Sequence, residues 1–175
     1  DYARLGSRIK CNPAIKEAHH KKALFEALLD DRLDVIATDH APHTIEEKSN
    51  KYLKAPSGLP LIQHSLNMML DFHQQGRISL ERVIEKMCHA PAICFEVKDR
   101  GYLREGYFAD MVLLDLNKSY TVTGAPSPNA NVLYKCGWSP LEGYTFKGAV
   151  DTTFVNGFAV YRQGSFNESQ RGMRL

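Results

Sequence analysis

Along the first hundred residues the apolar positions switch between strand and helix periods. Residues 7–11, Ser7-Arg8-Ile9-Lys10-Cys11, predict a short strand stopped by Asn12-Pro13. Proline cannot donate to a sheet ladder and suits the first turn of a helix. From 14 to about 30, Ile15, Ala18, Phe25, Leu28 and Leu29 fall near helical spacing, with Lys16, Glu17, His20, Lys21 and Lys22 on the other side. That pattern predicts an amphipathic helix packed on something. Residues 33–38 predict a second strand with an apolar centre, which runs straight into Asp39-His40-Ala41-Pro42-His43. Residues 44–57 read as a polar loop carrying Glu46, Glu47, Lys48 and Lys51. A helix over 59–75 follows, with Leu59, Ile62, Leu66, Met69, Leu70 and Phe72 for its buried face and Gly76 to end it. Ser79 opens a further helix through about residue 89, and Ala90-Pro91-Ala92 allows another to Phe95.

After residue 100 the helical pattern fades. Residues 111–116 and 120–123 are strand-like, and 151–161 hold β-branched and aromatic residues around Asn156-Gly157. Asn-Gly between two such runs is the strongest short hairpin signal. The expected organisation is an α/β segment over 1–100 and a β-rich segment over 101–175, without internal repeats.

Composition narrows the class. In 175 residues, 43% are hydrophobic and 24% charged, which disfavours disorder. Lys and Arg number 22 against 20 Asp and Glu, and a net +2 gives no electrostatic case for nucleic acid or an anionic membrane. The four cysteines, at 11, 88, 94 and 136, form no CxxC pair, so reduced thiols and a cytoplasmic location are expected. No apolar run approaches the ~18 residues of a membrane helix. The opening Asp1-Tyr2-Ala3-Arg4 is neither a start methionine nor a signal peptide, so a processed, cut or partial chain is expected. A complete (β/α)8 barrel takes at least ~200 residues and is excluded by length.

Two strand ends carry polar residues that a scaffold does not need, Lys10-Cys11-Asn12-Pro13 and Thr38-Asp39-His40-Ala41-Pro42-His43. In parallel α/β folds, ligands and catalytic groups collect at the carboxyl ends of strands. Asn12 and Asp39 would then face one ligand. Asp39 has two readings from its neighbours. It can be an Asx-turn or N-cap aspartate, or one carboxylate beside two imidazoles, the groups suited to zinc or to acid–base work. His19, His20, His64 and His73 read as surface positions, Cys11 as a small buried residue, and Trp138 as a packing residue.

The string Ala37-Thr38-Asp39-His40-Ala41-Pro42-His43, followed by four residues and then Lys48, resembles the second signature of dihydroorotases, in the cyclic amidohydrolase family. Lys10 to Lys16 resembles that family's Asn-Pro-Pro-Leu-Arg segment, with Ala14 replacing the second proline and Lys16 the arginine. Ala55-Pro56-Ser57-Gly58-Leu59 resembles its substrate loop, and residues 106–113 its Gly-x-x-Ala-Asp segment. Residues 154–157 and 160–164 resemble its closing hairpin.

The resemblance implies the C-terminal part of a (β/α)8 amidohydrolase barrel, about strands 7 and 8 with their helices over 1–100. Over 101–175 it implies the β-rich segment of a composite small domain. It further implies zinc-dependent interconversion of dihydroorotate and N-carbamoyl-L-aspartate in pyrimidine biosynthesis. Asp39 would be a zinc ligand and the general base and acid. Asn12 and His43 would bind the substrate, His43 through its carboxylate, and backbone groups of Ser57 and Gly58 would hold the ring. His40 would support the site without ligating metal. The family's His-x-His, its bridging ligand and its further histidines are missing, so one or two zinc ions would need ligands from the remainder of the barrel. A homo-oligomer is also expected, and the 175 residues alone are expected to be inactive and not to fold independently. Two other readings stand: another cyclic amidohydrolase (hydantoinase, dihydropyrimidinase or allantoinase), and a non-catalytic scaffold subunit.

Overall fold

A computed structural model describes residues 1–173. In chain order the helices are α1 (Tyr2–Leu5), α2 (Ala18–Leu29), α3 (Ile45–Lys48), α4 (Ser65–Gln74), α5 (Leu80–Ile84) and α6 (Ala90–Cys94). Strands β1 (Met111–Thr121), β2 (Thr145–Val155), β3 (Phe158–Arg162) and β4 (Ser165–Phe166) follow, and form one sheet in that order. The change from helix to strand after residue 100 is therefore present.

Local chemistry sets several boundaries as expected. Ser79 caps α5, its side chain accepting from the Arg82 N–H. Gly76, at φ 69°, follows α4. Residues 85–89 form a π-helical turn between α5 and α6. Asn156 and Gly157 both have positive φ, 52° and 84°, as a two-residue hairpin turn requires. They join β2 to β3, which pair antiparallel with an irregularity between Thr153 and Phe154.

The two early strands differ from expectation. Gly6–Ile9 is a 3-10 turn, and residues 33–38 form neither strand nor helix. The chain's own parallel pairing there is a single bridge between His40 and Leu59. A strand needs neighbouring strands to pair with, and the alternation of side chains cannot supply them. Helix α2 also begins at Ala18 rather than 14, the Ile15 carbonyl accepting instead from the Tyr2 hydroxyl at 2.8 Å.

The chain forms two compact units, each assembled from three stretches. The first comprises residues 1–27, 37–66 and 121–146, and buries Leu5, Ile9, Leu59, Val122, Trp138 and Phe146. The second comprises 28–36, 67–120 and 147–175, and buries Leu28, Met69, Leu70, Ile78, Val83 and Ala149. In the second, a side chain at Gly148 would meet Leu70 at 3.4 Å, so glycine lets α4 lie close to β2. Asn67 Nδ2 donates to the Gly148 carbonyl across that contact at 3.2 Å. Asp110 accepts from the Asn156 N–H at 2.7 Å and pairs with Arg100, which pins the hairpin turn to the segment before β1.

Candidate functional site

All five residues expected at the site, Asn12, Asp39, His43, Ser57 and Gly58, fall in the first unit. Asp39 follows residues 33–38 with φ 47°, a left-handed conformation that aspartate tolerates better than most residues. That backbone turn leaves its carboxylate exposed. Two groups behind it fix the turn. The Ala41 N–H donates to the Leu59 carbonyl at 3.0 Å. His40 Nδ1 accepts from the Leu61 N–H at 3.1 Å, with Ile62 N–H at 3.4 Å, so Nδ1 carries no proton. His40 also packs against Tyr134, with ring centroids 5.0 Å apart.

His43 sits between two acceptors. Nε2 donates to the Ser57 carbonyl at 3.1 Å, and Nδ1 lies 3.6 Å from Glu47 Oε2. Its own carbonyl accepts from Trp138 Nε1 at 2.9 Å. Trp138 is buried, as a packing residue should be, and also anchors the His43 backbone. Glu47 is held in turn by Thr44, which caps α3 in a reciprocal capping box.

The Ser57–Gly58 loop is packed tightly under this turn. Gly58 has φ 143°, and a Cβ there would lie 2.5 Å from Ala41 Cβ and 3.0 Å from His43 Cδ2. No residue but glycine fits. The Gly58 N–H donates to the Lys10 carbonyl at 3.0 Å, which brings the loop against the segment that leads into Asn12. Asn12 itself is exposed and precedes a cis peptide bond to Pro13.

Lys48 holds these parts together. It is fully buried, and Nζ donates to the carbonyls of Lys10, Pro56 and Gly58, each at 2.9 Å. Burial pushes its ammonium below the usual lysine range. Lys10 Nζ makes a second tie, reaching the carbonyls of Ala55 at 2.7 Å and Tyr52 at 2.9 Å. Sequence reading placed Lys48 in a polar loop. The one available signal was its place in the motif, where four residues separate it from His43.

Deeper in the unit lies a polar cluster around Tyr134. Its hydroxyl accepts from the Gln63 N–H at 2.9 Å and lies 3.3 Å from His64 Nδ1. His64 is buried against Phe146, and burial pushes its imidazole down to about 4. It is a core histidine rather than the surface position its sequence suggested.

Zinc finds a single ligand here. Among the described residues, no three His, Cys, Asp or Glu side chains converge as a metal site. Asp39 offers one carboxylate, while His40 Nδ1 and both nitrogens of His43 face other partners. A zinc centre takes three or four protein ligands, so these residues do not fit one by themselves. No helix among the described residues is long and apolar enough to cross a membrane.

The chain is similar to known proteins over most of its length. A dihydroorotase of Clostridium acetobutylicum is 36% identical over 157 residues, covering 89% of this chain and 36% of its own. That of Pyrococcus horikoshii is 31% identical over all 175 residues, which span 39% of its length. The chain thus spans little more than a third of these relatives. Among solved structures, the L-hydantoinase (dihydropyrimidinase) of Arthrobacter aurescens superimposes with a TM-score of 0.86 at 32% identity, over 95% of this chain and 37% of that one. A D-hydantoinase from a Thermus species shares the fold at 22% identity and a TM-score of 0.80, over 92% of this chain and 35% of that one. The sequence profile of the amidohydrolase family matches residues 10–160, which take in both polar strand ends and the loop between Ala55 and Leu59, and this chain belongs to that family.

Proposed function

We propose that the whole protein is a dihydroorotase, opening and closing the cyclic amide between dihydroorotate and N-carbamoyl-L-aspartate, as its curated relatives are named to do. Residues 1–100 would form the end of the (β/α)8 barrel, about strands 7 and 8, and 101–175 the β-rich part of a composite domain. The observation that carries this reading is the convergence of three motif segments in one unit, the run into Asn12, the Asp39–His43 turn and the Ser57–Gly58 loop.

The roles follow from position and chemistry. Asp39, exposed in the turn that leads to His43, takes the proton of the attacking water and returns it to the leaving ring nitrogen. His43 would bind the substrate carboxylate through Nδ1, since Nε2 is held by the Ser57 carbonyl and Glu47 Oε2, at 3.6 Å from Nδ1, lies beyond hydrogen-bond distance. Asn12 contributes amide donors and acceptors. The Gly58 N–H already donates to the Lys10 carbonyl and the Gly58 carbonyl accepts from Lys48, so backbone contacts to a ring fall first to the exposed Ser57, with Gly58 left the second lone pair of its carbonyl. Zinc, if the whole protein holds it, would find its remaining ligands beyond these residues, with Asp39 its single carboxylate here. The remainder of the barrel, and a homo-oligomer, complete the proposed assembly.

The experiment is turnover of dihydroorotate by the full-length protein and its Asp39→Asn variant. Asparagine keeps the shape and favours φ 47° at least as well as aspartate, so the fold should persist while turnover falls by about 10²–10⁴. Near-full turnover by the variant would show the acid–base role to be wrong. A second reading, hydrolysis of a hydantoin or dihydropyrimidine, is favoured by the solved neighbour at TM-score 0.86. Parallel assays on those substrates separate the two, and a histidine suited to a carboxylate favours dihydroorotate.

A further inference from the structure

Lys48 has no part in the chemistry above, yet its side chain is the most deeply enclosed charge in the first unit. An ammonium has three N–H donors and no acceptor. Here all three are used, and on backbone carbonyls alone, at the same 2.9 Å. The carbonyls belong to two segments far apart in sequence. One is Lys10, two residues before Asn12, and the others, Pro56 and Gly58, flank Ser57. The Lys10 carbonyl also accepts from the Gly58 N–H. The backbone of Lys48 is itself tied down, its carbonyl accepting from the Ser7 hydroxyl.

Burying an ammonium costs free energy unless its hydrogen bonds are fully met. A methionine or leucine would fill the same space without that cost. What an apolar side chain could not do is draw three carbonyls towards one point, because their dipoles repel one another without a cation between them. The turn bearing Asp39 is held separately, through the Ala41 N–H to the Leu59 carbonyl and through His40 to the Leu61 N–H.

We propose that Lys48 is a positioning residue that sets the spacing between the Asn12 segment and the Ser57–Gly58 loop, and thereby substrate affinity rather than the rate of the chemical step. The proposal rests on the function proposed above for the choice of substrate, but not for the geometry. Loss of the ammonium leaves three carbonyls to separate or to take up water, which displaces the binding groups and leaves Asp39 in place.

The test compares the full-length protein with its Lys48→Met and Lys48→Gln variants. Initial rates are measured on dihydroorotate and on a hydantoin, and hydrogen exchange is followed at residues 10–13 and 55–59. For Lys48→Met, KM should rise by about tenfold or more, with kcat changed by less than about threefold. Lys48→Gln keeps two N–H donors and should fall between, which also covers the case in which the methionine variant does not fold. Exchange should quicken in those two segments with the rest of the protein unchanged. A KM within about twofold of wild type overturns the proposal whatever happens to kcat, because a merely structural lysine lowers the active fraction and leaves KM alone. If the wild type turns over neither substrate, the functional reading fails. The exchange data then decide the role of Lys48, and unchanged exchange in both segments overturns it.

Discussion

Gly58→Ala perturbs the candidate site at a point where its cost can be worked from distances. The new Cβ would stand 2.5 Å from Ala41 Cβ, 3.0 Å from the Ala41 carbonyl oxygen and 3.0 Å from His43 Cδ2. Neither Ala41 atom can swing aside, since one is a Cβ and the other is backbone. Restoring ordinary van der Waals contact at about 3.4 Å or beyond moves the loop or the Asp39–His43 turn by about 1 Å. Overpacking of this kind costs roughly 1–3 kcal/mol, and a side chain held at φ 143° adds about 1–3 kcal/mol. A shift of ~1 Å in binding groups costs on the order of 10²-fold in rate. The expected outcome is therefore a full-length protein less stable by roughly 2–6 kcal/mol, with kcat/KM for dihydroorotate lower by about 10²-fold. Chemical denaturation and initial-rate kinetics measure the two. Gly76→Ala is the control, since it shares a positive φ, 69°, but meets nothing within 4 Å. It should carry a stability cost and no kinetic one. If Gly58→Ala kept kcat/KM within about twofold of wild type, the close approach of the loop to His43 would not matter for function.

Two predictions concern pH. Hydrogen bonds from Arg82 and Lys86 hold the Asp31 carboxyl down at about 2, from an ordinary 3.8. A depressed carboxylate contributes stability that is present above its ordinary value and lost as pH falls towards the folded one. The unfolding midpoint should therefore fall between about pH 4 and pH 2, and Lys86→Met should flatten that part of the curve. His64 has the same sign for a different reason. Burial lowers its imidazole to about 4, so the unfolded chain binds the extra proton between roughly pH 6.5 and pH 4. Stability should decline as pH falls through that window, and His64→Gln should remove the decline. An unchanged pH profile in the variant would contradict the assignment.

The elements that were legible in the sequence are those decided within a few residues. Ser79 caps a helix through the N–H three positions on, and Gly76 ends α4 at a positive φ that few other residues would take. Asn156-Gly157 makes its turn with its own backbone. The strands expected at 7–11 and 33–38 depended on ladder partners that the sequence of these segments cannot specify, and the chain supplies one bridge, between His40 and Leu59. For the site, Asp39 and His43 were visible because carboxylate and imidazole are scarce and chemically distinct beside a proline. Lys48 was not, because a lysine among Glu46, Glu47 and Lys51 reads as one more solvated charge.

The separation between chemistry and support within this unit follows from hydrogen-bond demand. Of the residues proposed to face a substrate, Asn12, Asp39 and Ser57 are exposed. Exposed loops carrying such residues cannot rigidify themselves, since their carbonyls have no ladder to join. The carbonyls of Lys10, Tyr52, Ala55, Pro56 and Gly58 are instead met by two lysine ammonium groups, one buried and one nearer the surface. From residues 121–146, a stretch distant in sequence that joins the same unit, Trp138 donates to the His43 carbonyl and the Tyr134 hydroxyl accepts from the Gln63 N–H. A site assembled in this way would be preorganised by groups outside the proposed substrate contacts. Substitutions at Lys48 or Trp138 should thus weaken binding at a distance from every reacting atom, which a reading of the motif residues alone would not anticipate.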